Sequence, residues 1–126
     1  MNNFGINDNP EYVVEQVVAA MQAKKAKKIV SLDLSEIPNT VAKYFVICGA
    51  SSKIQVGAIY DNIIEWVKKK CGINPFNKEG YQNAEWILID YIDVVVHVFI
   101  EDIREFYQLE NLWGDAKFTK YDNDKK

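Results

Sequence analysis

One histidine, two cysteines and three prolines in 126 residues leave little material for several common chemistries. A zinc site draws on several His, Cys or carboxylate ligands, and a single His argues against one. Cys48 and Cys71 lie far apart, one in an apolar strand-like segment and one at a helix end. That is the placement of reduced packing cysteines, not of a disulfide framework. No apolar run reaches the roughly 20 residues of a membrane helix, because Asp90 and Asp93 interrupt the longest one. Met1 to Asn9 has neither a basic start nor an apolar segment, so a secretory signal is not expected and the cytoplasm is the expected compartment. Positive charge is not in excess either: the net charge is −3 and the pI about 5.2. Phosphate backbone is gripped mainly by Lys and Arg, so little or no direct nucleic-acid binding is expected, and a basic protein surface is the more natural partner.

What is present reads as one soluble domain. Hydrophobic residues make up 48% and charged residues 26%, which is ordinary for a globular chain of this length. Asn9 can cap a helix with Pro10 in its first position, and Val14, Val17, Val18 and Met21 recur at helical spacing. Lys24, Lys25, Lys27 and Lys28 then read as cations at a helix C-terminus, with an RNA contact as the sharper alternative. Ile29 to Leu34 and Tyr44 to Cys48 are strand-like, divided by Pro38 and Asn39. Ser52 and Gln55 have capping-box spacing, Val56, Ile59, Ile63, Trp66 and Val67 form an apolar stripe, and Gly72 stops that helix. A short strand is expected near Pro75 to Lys78 and a last helix from about Glu101 to Trp113, stopped by Gly114. The architecture expected is α/β, with about three helices around a mixed sheet of four or five strands. Residues 1–116 form the domain in this reading, and 117–126 a charged, loose tail.

The most informative segment is Glu85 to Phe99, two β-rich runs that read as a hairpin turning at Tyr91 and Ile92. Such a turn pairs Asp90 with Asp93, Leu88 with Val95 and Trp86 with His97. Alternation then gives an aliphatic face of Ile87, Ile89, Val94 and Val96, suited to packing under helices. The other face carries Trp86, Leu88, Asp90, Asp93, Val95 and His97. Such a mixture suits a protein-binding surface, since Trp is enriched among interface anchors. In the last helix Ile103, Phe106, Tyr107, Leu109, Leu112 and Trp113 exceed what one buried stripe needs, so Tyr107, Leu109 and Trp113 are secondary interface candidates and a homodimer is a further expectation.

Catalysis finds little support. His97 has no Ser or Cys nucleophile at a recognisable motif. Gly49 to Ser51 falls between a strand and a helix, where backbone N–H groups can hold an anion, yet no P-loop or dinucleotide spacing is present. Asp33, Asp90 and Asp93 are the carboxylates that a magnesium-dependent nucleotidyl transfer would use. Asp90 and Asp93 are three residues apart around a turn, whereas a metal-sharing pair on one strand stands at i and i+2.

Four segments together resemble the ribosomal silencing factor family, also called Iojap-like. They are Ile29-Val30-Ser31-Leu32-Asp33-Leu34; Tyr44-Phe45-Val46-Ile47-Cys48 with Gly49 to Ser51; the hairpin from Trp86 to Phe99; and Phe106-Tyr107-Gln108-Leu109-Glu110-Asn111-Leu112-Trp113. The likeness runs from about Val13 to Ala116 and is carried most specifically by the aspartate-flanked hairpin ending in Val-His-Val-Phe and by the Leu-Glu-x-Leu-Trp helix. The resemblance implies a nucleotidyltransferase-like fold without catalysis or cofactor. It also implies binding to the large ribosomal subunit through its protein fourteen, which blocks joining of the small subunit and represses translation under nutrient limitation. The family commonly has Gly where this chain has Ile92. A β-branched residue at positive φ is costly, so a turn of another type or length is expected here.

Overall fold

In the computed structural model, residues 7–40, 42–108, 111, 114 and 116–121 are described, the side chains of Phe106 and Tyr107 excepted. Helix α1 (Pro10–Ala23) starts as its sequence dictates: the Asn9 side chain accepts from the Tyr12 N–H and Pro10 fills the first turn. Its Val13, Val17 and Met21 share one buried cluster with Val56, Ile59 and Ile63 of α2 (Lys53–Cys71), and both helices cover one face of the sheet. At the head of α2 the Ser52 hydroxyl accepts from the Gln55 N–H at 3.1 Å. The return half of the box is displaced by one residue, with Gln55 accepting from the Ser51 N–H at 2.8 Å. Gly72, at φ 75°, closes the helix in the left-handed region. Trp66 of the expected stripe is half-buried, not core, and its indole N–H donates to Gln16 Oε1 at 2.9 Å.

Among the described residues six strands form one mixed sheet, one more than the upper expectation: β1 (Lys27–Asp33), β2 (Tyr44–Ala50), β3 (Asn77–Glu79), β4 (Trp86–Asp90), β5 (Val94–Ile100) and β6 (Lys117–Tyr121). Their order is β3-β4-β5-β2-β1-β6. β2 and β5 run parallel at the centre, where α2 and the β3–β4 hairpin supply the long crossover that a parallel pair requires, and the other described pairs are antiparallel. The extra strand, β6, corrects the reading of 117–126 as loose: Lys117 to Tyr121 pair antiparallel with β1, Leu32 opposite Phe118. Charge patterning concealed it, because an edge strand tolerates and often needs lysines on its exposed positions. Residues 122–126 lie outside the described residues.

Three further boundaries differ. Lys27 and Lys28 belong to β1, not to a helix end, since Lys24 is already the α1 cap and Lys25 turns the chain at φ 60°. Gly49 and Ala50 lie within β2, so the Gly is not a turn residue. Its need is close approach: a Cβ there would stand 3.3 Å from Glu101 Cγ of α3 (Glu101–Tyr107). That helix is shorter than expected, ending where Gln108 enters the left-handed region at φ 48° and donates its N–H to the Arg104 carbonyl. An apolar pattern locates a helix face but does not by itself locate its end.

Alternation along β4 and β5 divides the core in two. Ile87, Ile89, Val94 and Val96 are at most 1% exposed beneath α1 and α2. On the opposite face Val30, Leu32, Leu34, Ile47 and Phe99 form a smaller cluster, with Trp86 and Ile103 of α3 packed against it. Among the described residues no helix is long and apolar enough to cross a membrane.

Candidate functional site

The β4–β5 hairpin keeps its predicted faces but not its register. Asp90 pairs with Val95, Leu88 with His97 and Trp86 with Phe99, two residues on from the expected partners. A one-residue slip would have inverted the faces, but a two-residue slip preserves them. The turn centres on Ile92 and Asp93, with the Tyr91 N–H donating to the Val94 carbonyl at 2.9 Å. Ile92 sits at φ 76°, at the place where two-residue hairpins of this sense favour Gly. The expectation that a β-branched residue would avoid positive φ is therefore overturned. Two local bonds hold the strained residue: the Asp90 side chain accepts from the Ile92 N–H at 2.7 Å, and the Asp93 N–H donates to the Tyr91 carbonyl at 3.0 Å. Asp93 is drawn out of opposition to Asp90 because its carbonyl accepts from the Lys43 and Tyr44 N–H groups at 2.8 and 3.0 Å.

Beside this turn the sheet face away from α1 and α2 is open, and a groove of about 640 Å³ lies on it. Leu34, Ala42, Phe45, Phe76, Leu88, Ile92 and Val95 give it apolar walls, and Asn39, Thr40, Asp90 and His97 its polar points. Phe76 and Ile92 are 76% and 56% exposed, an unusual position for large apolar side chains. Phe76 is brought there by its own N–H, which donates to the Asp90 carbonyl at 2.7 Å.

Of the five residues expected from sequence, three line the groove: Leu88, Asp90 and His97. Trp86 and Asp93 do not, although Trp86 prepares the site from behind. Its indole N–H donates to His97 Nδ1 at 3.0 Å, and its ring packs 4.8 Å from Phe99. His97 is 4% exposed, and burial pushes its pKa down to about 4. It is therefore neutral near pH 7, and because Nδ1 accepts from Trp86 its proton resides on Nε2. That Nε2–H is buried and has no hydrogen-bond partner among the described residues. Phe45 stands edge-on to the imidazole at 5.0 Å. Of the secondary candidates, Leu109 and Trp113 lie outside the described residues, and Tyr107 is described only as the last residue of α3.

Phe45, Phe76 and Ile92 were missed as groove residues. Phe76 left one signal, an isolated aromatic between Pro75 and Asn77 in an otherwise polar stretch. Phe45 shares a face with His97 only through the β2–β5 pairing, which no local pattern announces. The carboxylates of the enzymatic alternative are differently engaged: Asp33 accepts from Ser35 Oγ and N–H, which holds its pKa below the usual range, and Asp90 serves the turn. Among the described residues no three His, Cys, Asp or Glu side chains are grouped to hold a metal ion. Cys48 and Cys71 are free and buried, and burial pushes the Cys48 thiol up to about 12.

Comparison with known proteins gives a consistent result. Residues 7–126 match the family model described as ribosomal silencing factor during starvation. The ribosomal silencing factor RsfS of Bacillus subtilis is 41% identical over 114 residues, covering 90% of this chain and 95% of that protein. A mouse protein named mitochondrial assembly of ribosomal large subunit protein 1 is 26% identical over 112 residues, covering 86% of this chain and 48% of its own length. A crystal structure from Chromobacterium violaceum superposes with a TM-score of 0.78 at 30% identity, covering 82% of this chain and 85% of the other.

Proposed function

We propose that this chain, which belongs to the ribosomal silencing factor family, silences translation by binding the large ribosomal subunit through its protein fourteen and standing where the small subunit must dock. The observation that carries the reading is the groove, which gathers Leu88, Asp90 and His97 with Phe76 and Ile92 on one open sheet face. Apolar walls with a few fixed polar groups are the usual composition of a recognition site. The Nε2–H of His97 is shut off from solvent and unmet among the described residues, at a cost of about 1–3 kcal/mol, so a partner's carbonyl would satisfy it only where docking shifts the ring toward the groove. Asp90 adds a negative charge at the rim, in keeping with a basic partner surface. Obstruction requires no cofactor and no turnover, which agrees with a family named for silencing and not for a reaction. The setting proposed with it is nutrient limitation, and the location the cytoplasm. Tyr107, Leu109 and Trp113 remain proposed as a second contact or a dimer seam.

The test is sedimentation of isolated subunits through sucrose gradients with and without the protein. The protein should travel with the large subunit and reduce joined ribosomes. Leu88→Glu, folded by circular dichroism, should abolish both effects. Co-sedimentation undiminished by that substitution would remove the groove from the mechanism, and joining unaffected by bound protein would remove the obstruction.

A further inference from the structure

At the far edge of the sheet a second cavity, about 620 Å³, is lined by Lys28, Ile29, Val30, Arg104, Phe118, Lys120 and Tyr121. Three of these are cations and none is acidic. Elements distant in sequence bring them together: Lys28 from the start of β1, Arg104 from α3, and Phe118 with Lys120 from β6. Antiparallel pairing places Lys120 opposite Val30 and Phe118 opposite Leu32, so both point to the α3 side of the sheet. Lys28 reaches the cavity because β1 bulges: the register with β2 shifts between Lys27 and Val30, and Lys28 sits at φ 52°. A bulge re-aims a side chain, and a left-handed non-glycine residue is strained. Buried Arg104 secures that backbone, donating from Nη1 to the Lys28 carbonyl at 2.7 Å. The strained position thus displays a lysine where glycine would be relaxed. Lys24, Lys25 and Lys27 are exposed nearby in sequence, and no acidic residue interrupts positions 22–32.

We propose that this edge binds single-stranded RNA, with phosphates held by Lys28, Lys120 and the lysines beside them and a base stacked on Phe118. The proposal goes beyond the groove and does not depend on it. A single phosphate would need fewer cations than are spread here, so a polyanion fits better than a free nucleotide. Phe118, 41% exposed between the cations, separates RNA from an acidic peptide, because an exposed π-face beside a basic track is the arrangement that holds bases. The chain's net negative charge does not oppose this, since affinity for phosphate is set by the local patch.

The experiment is fluorescence anisotropy of a labelled short RNA with the full chain at several salt concentrations. Binding should weaken with log salt at a slope of about −2 to −3, corresponding to three or four phosphates. Lys28→Glu combined with Lys120→Glu should lower affinity by about tenfold or more and flatten that slope. Phe118→Ala should lower affinity about fivefold or more while keeping the slope. All variants, checked for folding by circular dichroism, should bind purified protein fourteen as the parent does, so the patch and the groove are tested separately. RNA affinity unchanged in the folded double variant overturns the proposal. So does tighter binding to polyglutamate or to phosphatidylserine vesicles than to RNA.

Discussion

His97 is the residue whose environment has the most measurable consequence. Its unfolded pKa is near 6.5, and burial brings the folded value down to about 4. Above pH 6.5 both states are neutral and the group has no effect on stability. As pH falls from 6.5 toward 4, the unfolded chain takes up a proton that the folded chain refuses, so stability should fall by about 1.4 kcal/mol per pH unit and level off below. Carboxylates titrate in part of that window, so the wild type is to be compared with His97→Gln in urea unfolding at each pH. The difference between the two curves should change across the window, and parallel curves would refute the burial argument. Trp86 then acts through His97. Trp86→Phe keeps an aromatic ring against Phe99 but removes the indole N–H from Nδ1. Large-subunit binding should weaken by about tenfold while circular dichroism stays unchanged, a loss of the order expected for one buried hydrogen bond. Equal affinity would show that the Nδ1 bond is dispensable.

Among the elements, the β4–β5 turn holds the clearest conflict between local preference and position. Ile92→Gly should raise the unfolding free energy by about 1 kcal/mol, because positive-φ strain on a β-branched residue exceeds the extra chain entropy of Gly. The same change removes an exposed apolar wall of the groove, so binding should weaken as stability rises. Stability and affinity falling together would mean that Ile92 serves the fold. Asp90 has a double attachment here. Asp90→Asn retains an oxygen to accept from the Ile92 N–H but loses the charge. Affinity for the large subunit should drop and its salt dependence become shallower, as screening has one fewer charge pair to act on. An unchanged salt slope would exclude Asp90 from the electrostatic contact. At the head of α2, Ser52→Ala should cost about 1 kcal/mol in urea unfolding, the usual value of an N-cap.

For the whole molecule, a bound obstacle and a catalyst differ in stoichiometry. If this protein acts by occupancy, inhibition of translation in vitro should reach its maximum only near one copy per large subunit and should vanish after a high-salt wash. An enzyme modifying the ribosome would act at a small fraction of that amount and leave a lasting effect. Excess small subunit should compete, since both would claim one surface. Inhibition far below stoichiometry, or inhibition outlasting removal, would restore the nucleotidyltransferase reading with Asp33, Asp90 and Asp93.

By itself the sequence determined what depends on neighbours along the chain. Asn9 with Pro10, Ser52 before Gln55, and Gly72 fixed helix ends through bonds and dihedrals that span at most a few residues. Alternation in Glu85 to Phe99 determined which side chains share a face, because pleating has a period of two whatever the partner strand. That put Leu88, Asp90 and His97 on the face where the groove lies, together with Trp86, which does not line it. The tertiary structure decided what depends on which strands lie side by side. It placed Phe45 against His97 through the parallel β2–β5 pair, and it bonded Asp93 to the start of β2, moving the turn by one residue. It recruited a charged segment, Lys117 to Tyr121, as an edge strand and so brought Lys120 and Phe118 to Lys28. Periodicity records the environment of a residue but not the identity of its distant neighbours, and both cavities are built from distant neighbours.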